Sequence, residues 1–571
     1  MKKLINEPRA VVREMLEGLC DLHPGLALLE AENVVLRADL PAPANRRVAI
    51  LSGGGSGHEP AHGGYVGRGM LGAAIAGEVF TSPGVDAVLA AIRAAAGPAG
   101  ALLIVKNYTG DRLNFGLAAE LARGAGIAVE EAIVADDVAL AGIVPRSRRR
   151  GIAGTVLVHK IAGAAAESGR PLAEVAALAR AAAADLGSMG VALGPCTVPA
   201  AGQPGFALAA DEIELGLGIH GEAGVERTTM RSVDALVARL LDSIIADLKL
   251  SAGERVALLV NGLGGTPPIE LAIVARAALA RARGAGLIVE RAWSGTLLSA
   301  LEMPGVSLSL MRLDDERLAL LDAPTAAPAW PGGGRIEAGR RIVAAPAPSP
   351  AGASVARGDN PAFTAPLLAI AQALEDAEAE LTRLDNAVGD GDLGISMRRA
   401  AAAMRDIARS PGNDAAALLS LLAGELRRAV GGSSGPFYAT ALLRAARELP
   451  ASPAPADWAR AFRGAVAAVR DLGGAAPGDC TMVDALVPAS EALDRLGARD
   501  AVTAEIVHAA AAAAQTGADA TADLLPKLGR ASYMGARARG VPDPGAVAVA
   551  VWLRGLAGHL NGLGTGHTPC P

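Results

Sequence analysis

Two kinds of chemistry are written into short stretches of this chain. In Leu215-Gly216-Leu217-Gly218-Ile219-His220-Gly221-Glu222-Ala223-Gly224 a single imidazole stands among glycines. A neutral ring nitrogen can add to a reactive carbonyl, so a histidine cleared of surrounding side-chain bulk is equipped to hold a small ketone covalently. A lone histidine is more often structural, and this stretch alone leaves that reading open. The second chemistry is acidic: Asp385-Asn386-Ala387-Val388-Gly389-Asp390-Gly391-Asp392-Leu393-Gly394. Residues two apart point to different faces of a helix, so Asp390 and Asp392 converge from a glycine-permitted turn, and Asp385 at the end of a preceding helix can join them. Convergent carboxylates repel unless a cation is present, and Mg²⁺ takes oxygen ligands while bridging phosphates. The plainer alternative is an acidic loop; the spacing and terminal Glu of an EF-hand are missing.

Three further stretches have weaker signals. Ser52-Gly53-Gly54-Gly55-Ser56-Gly57-His58-Glu59-Pro60 follows a strand expected to end at Leu51, and its glycines let backbone N–H groups approach a ligand. It has neither the Gly-Lys-Ser/Thr of a P-loop nor a dinucleotide fingerprint, and a tight turn explains it equally well. Lys106-Asn107-Tyr108-Thr109-Gly110-Asp111 sets a lysine and a carboxylate after an apolar strand, suited to hydroxyls and carbonyls, or forms an ordinary turn. Gly431-Gly432-Ser433-Ser434-Gly435-Pro436 opens a helical stretch near Tyr438 and offers a phosphate cradle or a bundle corner.

The elements that must position these residues fall into two languages. Up to about residue 340, β-rich runs such as Val48-Ala49-Ile50-Leu51, Leu102-Leu103-Ile104-Val105 and Val256-Ala257-Leu258-Leu259-Val260 alternate with helix-forming sequence, which predicts an α/β domain. Prolines at 195, 199 and 204 suggest subdomains of about 1–190 and 191–340. Residues 341–360 alternate proline with small residues and read as a linker. From 361 to 571, Ala- and Leu-rich segments such as 366–385 and 414–430 predict an all-α bundle, broken by glycines at 389–394, 431–435, 473–478 and 515–517. The alanine tract 509–514 reads as a tightly packed helix.

Bulk properties exclude some partners. With 53 Lys+Arg against 59 Asp+Glu, there is no whole-chain electrostatic case for nucleic acid or an anionic membrane. The cluster Arg146, Arg148, Arg149 and Arg150 reads as a solvated loop. Apolar segments are interrupted too often to span a membrane, and the N-terminus does not read as a signal peptide. Cys20, Cys196, Cys480 and Cys570 lack metal-finger spacing and suit a reducing, cytoplasmic setting.

Taken in order, these stretches resemble the single-chain, ATP-dependent dihydroxyacetone kinase family from near Asn6 to near Leu560. The resemblance rests on GGGSGHEP at 53–60, GEVFTSP at 77–83, KNYTGD at 106–111, GIAGT at 151–155, GLGIHGE at 216–222 and NGLGGTP at 261–267. It continues with LEMPG at 301–305, AVGDGDLG at 387–394, GGSSGP at 431–436, GRASYMG at 529–535 and PDPGA at 542–546. It implies a sugar-binding α/β domain of two subdomains followed by a barrel of antiparallel helices. By position, it places the sugar on Gly55, Ser56, Gly57, His58, Lys106 and Asp111, with its carbonyl captured by His220 and with His58 and Asp111 as acid/base groups. Mg²⁺ falls to Asp385, Asp390 and Asp392. ATP falls to Leu393, Gly394, Ile395, Ser396, Ser433, Ser434, Gly474, Thr481, Met482, Asp543, Pro544 and Gly545. The expected reaction is phosphorylation of dihydroxyacetone by ATP in a cytoplasmic homodimer. The same motifs suit a four-carbon ketose such as erythrulose, and relatives of the sugar domain alone serve phosphotransfer systems or regulation. Within a further matching block, GD-x-TM-x-DAL at 478–486, Cys480 replaces a usually basic residue, implying somewhat weaker nucleotide binding; Ala223 replaces a proline.

Overall fold

The computed structural model describes residues 2–346, 358, 360–496 and 504–564. Residues 347–357 and 359 of the expected linker lie outside that range, as does Cys570. The chain separates into two compact units, Met1–Ile342 and Val343–Pro571.

The first unit holds two six-stranded sheets. Strands β1 (Leu26–Leu28), β2 (Val34–Arg37), β3 (Ala49–Ser56), β4 (Ala73–Val79), β5 (Ala101–Lys106) and β6 (Val129–Val134) form the first, in the order β1-β2-β4-β3-β5-β6. Its centre is parallel, with β3 between β4 and β5, and this burial on both faces explains the unbroken apolar run of β5. Strands β7 (Leu186–Ala192), β8 (Glu212–Leu215), β9 (Glu226–Thr229), β10 (Arg255–Gly262), β11 (Ile288–Gly295) and β12 (Gly305–Arg312) form the second, ordered β11-β10-β12-β7-β8-β9. Only β10 and β11 pair in parallel there. Eight helices cover the sheets: α1 (Val11–Leu22), α2 (Val85–Ala95), α3 (Thr109–Gly124), α4 (Thr155–Glu167), α5 (Leu172–Ala184), α6 (Val233–Leu248), α7 (Pro268–Gly284) and α8 (Asp315–Asp322).

Two expectations change here. Strand β3 does not stop at Leu51 but runs through the glycines to Ser56. A Cβ at Gly53 would collide with the Ile75 carbonyl, and one at Gly55 would lie 2.6 Å from the Thr81 nitrogen. The glycines at 53 and 55 therefore let neighbouring backbone press against the strand. The arginine cluster is only in part a solvated loop: Arg148 is exposed, but the other three are engaged. Arg149 pairs with Asp247 at 2.7 Å, and Arg150 donates to Asp137 and to the Gly216 carbonyl, both at 2.7 Å. Arg146 donates to the carbonyls of Ala183 and Leu186.

In the second unit, α9 (Pro361–Asp376), α10 (Glu378–Val388), α11 (Leu393–Ala408), α12 (Ala415–Ala429), α13 (Ser434–Glu448), α14 (Pro455–Gly473), α15 (Val483–Leu496), α16 (Ala504–Ala520) and α17 (Pro544–Gly564) are all helical. Helix α9 packs on α11, each of α11 to α16 packs on the next, and α17 packs on both α16 and α9. These contacts close a ring around an apolar cavity of about 670 Å³ lined by Phe363, Met404, Trp458, Phe462 and Trp552 among others. The expected break at 515–517 is absent: Gly517 lies inside α16. A Cβ there would strike the Asp484 carbonyl, so this glycine serves close helix packing instead of a turn. Helix α13 begins at Ser434, four residues before the expected Tyr438. No helix among the described residues is long and apolar enough to cross a membrane.

Candidate active site

In the first unit, His220 lies on the loop between β8 and β9, Lys106 ends β5, Asp111 occupies the first turn of α3, and His58 follows β3. The fold gathers all four. His220 is ringed by His58, Phe80 and Tyr108, at centroid distances of 4.9, 5.1 and 4.7 Å. Phe80 also stacks on His58 at 5.2 Å. Strand β3 passes close by: a Cβ at Gly54 would lie 3.1 Å from the Lys106 Nζ and 3.3 Å from an Asp111 carboxylate oxygen.

Hydrogen bonds fix what each group can do. His58 Nδ1 lies 2.8 Å from the Ser299 carbonyl, which can only accept, so Nδ1 carries the proton and Nε2 presents a lone pair. That Nε2 is buried without a partner, as is Lys106 Nζ. Burial, with the neighbouring Lys106 and His220, pushes His58 well below the usual imidazole range and keeps it neutral. Burial also lowers Lys106, against the pull of Asp111, Glu222 and Glu59. Asp111 accepts a 2.5 Å hydrogen bond from Ser82. Ser56 has its hydroxyl committed to the Gly77 carbonyl at 2.7 Å, leaving its backbone as its offering to a ligand. His220 Nδ1 and backbone N–H both meet the Glu222 carboxylate, at 2.8 and 3.0 Å. Burial opposes the charge on Glu222, but these bonds hold its carboxyl down at about 2. Phe80, Ser82, Tyr108 and Glu222 had no role assigned from sequence. Each lies inside a recognised motif block, which was the available signal.

In the second unit, Asp385, Asp390 and Asp392 offer carboxylate oxygens within 4.8 Å of one another. Hard oxygen donors so grouped fit Mg²⁺. Asp390 is ion-paired with Arg530, and Asp385 accepts from the Leu393 N–H at 3.1 Å. Leu393, Gly394, Ile395 and Ser396 form the first turn of α11; the Ser396 N–H donates to the Asp392 carbonyl at 2.9 Å, while the N–H groups of Gly394 and Ile395 have no carbonyl partner within the helix. A Cβ at Gly431 would lie 3.9 Å from the Ser396 hydroxyl, so the turn before α13, with Ser433 and Ser434, adjoins this end. Gly474 caps α14 in the left-handed conformation, and the preceding Gly473 lies against Phe437 of α13. Asp484 accepts from the Thr481 N–H at 2.8 Å, and Met482 lies against Gly545 beside Asp543 and Pro544. Cys480 is 4% exposed, with its thiol 3.6 Å from the Thr521 carbonyl, so this position faces inward.

Asp543 gives a pH-dependent expectation. Burial, then the nearby Asp484 and Asp385 charges, push its carboxyl up to about 7 against the hydrogen bond from Ala546. A carboxyl raised in the folded state contributes stability that is present below about pH 4 and lost as pH rises to about 7. In metal-free buffer the helical unit's thermal midpoint should therefore fall between pH 5 and 7. Asp543→Asn should flatten that slope; an unchanged slope would contradict it.

Residues 17–329 match the Dak1 domain and residues 387–558 the DAK2 domain. The chain is 44% identical to the human (Homo sapiens) triokinase/FMN cyclase over 97% of its length and 98% of that protein. The chain belongs to the dihydroxyacetone kinase family. A second relative of this family member is the D-erythrulose kinase of Mycolicibacterium smegmatis, 38% identical over 98% of both chains. Among solved structures, the C. freundii dihydroxyacetone kinase in complex with AMP-PNP and Mg²⁺ aligns with a TM-score of 0.63 and 36% identity, covering 98% of this chain and 99% of that one. For this dihydroxyacetone kinase family chain, the likeness extends over both units.

Proposed function

We propose that this chain transfers the γ-phosphoryl of ATP to a hydroxyl of a short ketose, with dihydroxyacetone as the first substrate to test. The observation that carries the reading is the set of buried, unpartnered polar atoms beside His220, namely His58 Nε2, Lys106 Nζ and the Tyr108 hydroxyl. A buried polar atom without a partner costs free energy, so a ligand bearing several oxygens on a short carbon chain is the complement this site lacks. His220 holds the carbonyl, Lys106 neutralises oxygen charge, and His58 Nε2 accepts the proton of the attacking hydroxyl, with Asp111 as the alternative base. Asp385, Asp390 and Asp392 would hold Mg²⁺, which when bound neutralises charge on the nucleotide phosphates. The turns at 393–396, 431–434, 474, 481–482 and 543–545 would hold the nucleotide.

A carboxylate cluster and its surrounding turns in the same chain favour ATP over a separate phosphate donor, which sets aside a phosphotransfer-system or regulatory role. A four-carbon ketose is the second reading, favoured by the likeness to D-erythrulose kinase. Cytoplasmic placement and a homodimer complete the proposal, with sedimentation velocity as the check on assembly. The deciding experiment is a coupled ADP-release assay across three- and four-carbon ketoses and aldoses. Turnover should be highest with dihydroxyacetone. Preference for one erythrulose enantiomer would move the substrate to four carbons, and no ATP turnover with any sugar would remove the kinase reading.

A further inference from the structure

The glycines around His220 do not all clear space for the imidazole. A Cβ on Gly218 would overlap the Glu222 carboxylate and lie 2.6 Å from Arg150 Nη1. The room made at Gly218 thus belongs to Glu222. The loop closes on itself to bring that carboxylate round: the Gly218 N–H donates to the Glu222 carbonyl at 3.0 Å, and the Gly221 N–H to the Gly218 carbonyl at 3.1 Å. Gly221 supplies the left-handed turn, at φ 84°. The result is a bidentate grip, one Glu222 oxygen on the His220 ring at Nδ1 and the other on its backbone N–H. Arg150 anchors the start of the loop through the Gly216 carbonyl.

From this geometry we infer that Glu222 is the positioning residue for carbonyl capture, fixing His220 with its proton on Nδ1 so that Nε2 is the nucleophile. The inference rests on the proposed capture of a ketone by His220 and specifies the atom and the group that orients it. A carboxylate can only accept, so the Nδ1 that it holds must be N–H, and the lone pair falls to Nε2. On addition, the Nε2–carbon bond forms and the carbonyl π pair moves onto oxygen, which takes a proton from water. The ring keeps its Nδ1–H, and its new positive charge is set against the Glu222 carboxylate. Any neutral residue at 222 would leave that charge uncompensated, and one without an acceptor would also leave both tautomers accessible. Specificity follows as well: Phe80, Tyr108 and His58 surround the ring, so a ring turned about Cβ–Cγ would present the wrong nitrogen.

The test uses the full chain with ¹⁵N-labelled histidine, His220 being assigned among eight histidines by its loss in His220→Ala. The variants are Glu222→Ala, Glu222→Gln and Gly218→Ala. In the parent the His220 nitrogens should report Nδ1–H. Glu222→Ala should shift the population towards Nε2–H and lower kcat/KM for the ketose about 10- to 100-fold, the cost of removing a carboxylate behind a working histidine. The loss should appear mainly in ketose KM and leave ATP KM unchanged. Glu222→Gln can still accept from Nδ1 and should retain the tautomer with a smaller loss, whereas Gly218→Ala should reproduce Glu222→Ala by displacing the carboxylate. A wild-type tautomer with undiminished ketose affinity in folded Glu222→Ala would overturn the inference while leaving carbonyl capture standing. Undiminished ketose affinity in His220→Ala would instead overturn the capture itself.

Discussion

Replacing His220 with alanine should raise the ketose KM and abolish discrimination between a ketone and a polyol of the same length, while the apparent affinity for magnesium-ATP stays unchanged. His220 is packed among His58, Phe80 and Tyr108 and is gripped by Glu222, all within the α/β unit. The candidate nucleotide residues belong to the other compact unit. An anchored substrate gains from reduced freedom at the reacting hydroxyl, and misplacement alone costs on the order of 10²-fold in rate. A loss of that size in kcat/KM for dihydroxyacetone is expected, with little change for glycerol, which has no carbonyl to capture. Initial-rate kinetics with each substrate varied in turn checks it. Equal weakening of ketose and ATP would contradict the division of labour.

Neutralising the acidic cluster should do the reverse. Asp392→Asn should weaken Mg²⁺-dependent nucleotide binding by more than about 100-fold, since even groups behind a metal's ligands change affinity 10- to 100-fold. Ketose binding measured without nucleotide should be unchanged. The carboxylate oxygens of Asp385, Asp390 and Asp392 lie within 4.8 Å, so in metal-free buffer their mutual repulsion strains the folded state. Asp392→Asn should therefore raise the metal-free melting temperature while lowering nucleotide affinity. A variant merely unfolded by the substitution would lose both. Asp390→Asn is the less clean choice, because it also severs the pair with Arg530. Calorimetric titration of magnesium-ATP beside a metal-free melt gives both readouts.

The strands around the candidate sugar site were legible because they are buried on both faces, which leaves continuous apolar runs such as residues 101–105. The turns proposed for the nucleotide were legible as turns because glycine and serine clusters interrupt alanine-rich helices. What sequence could not convey was why a given glycine is there. Gly517 and Gly394 look like helix breakers, yet one admits α15 and the other would, with a side chain, strike Thr382. His220 alone favoured a structural role; only the fold reveals that His58, Phe80 and Tyr108 converge on it from separate segments and that Glu222 turns back onto it within its own loop. The arginines at 146–150 misled for the same reason, since their partners Asp137, Ala183, Leu186, Gly216 and Asp247 are scattered in sequence.

The ring of helices has a consequence for how this protein can be rearranged. Helix α17 lies against α9, with Gly555 beside Ile370, so the first and last described helices of the second unit are neighbouring staves. A short connector between those two helices, with new ends opened in the loop between α12 and α13, would preserve every stave-to-stave interface.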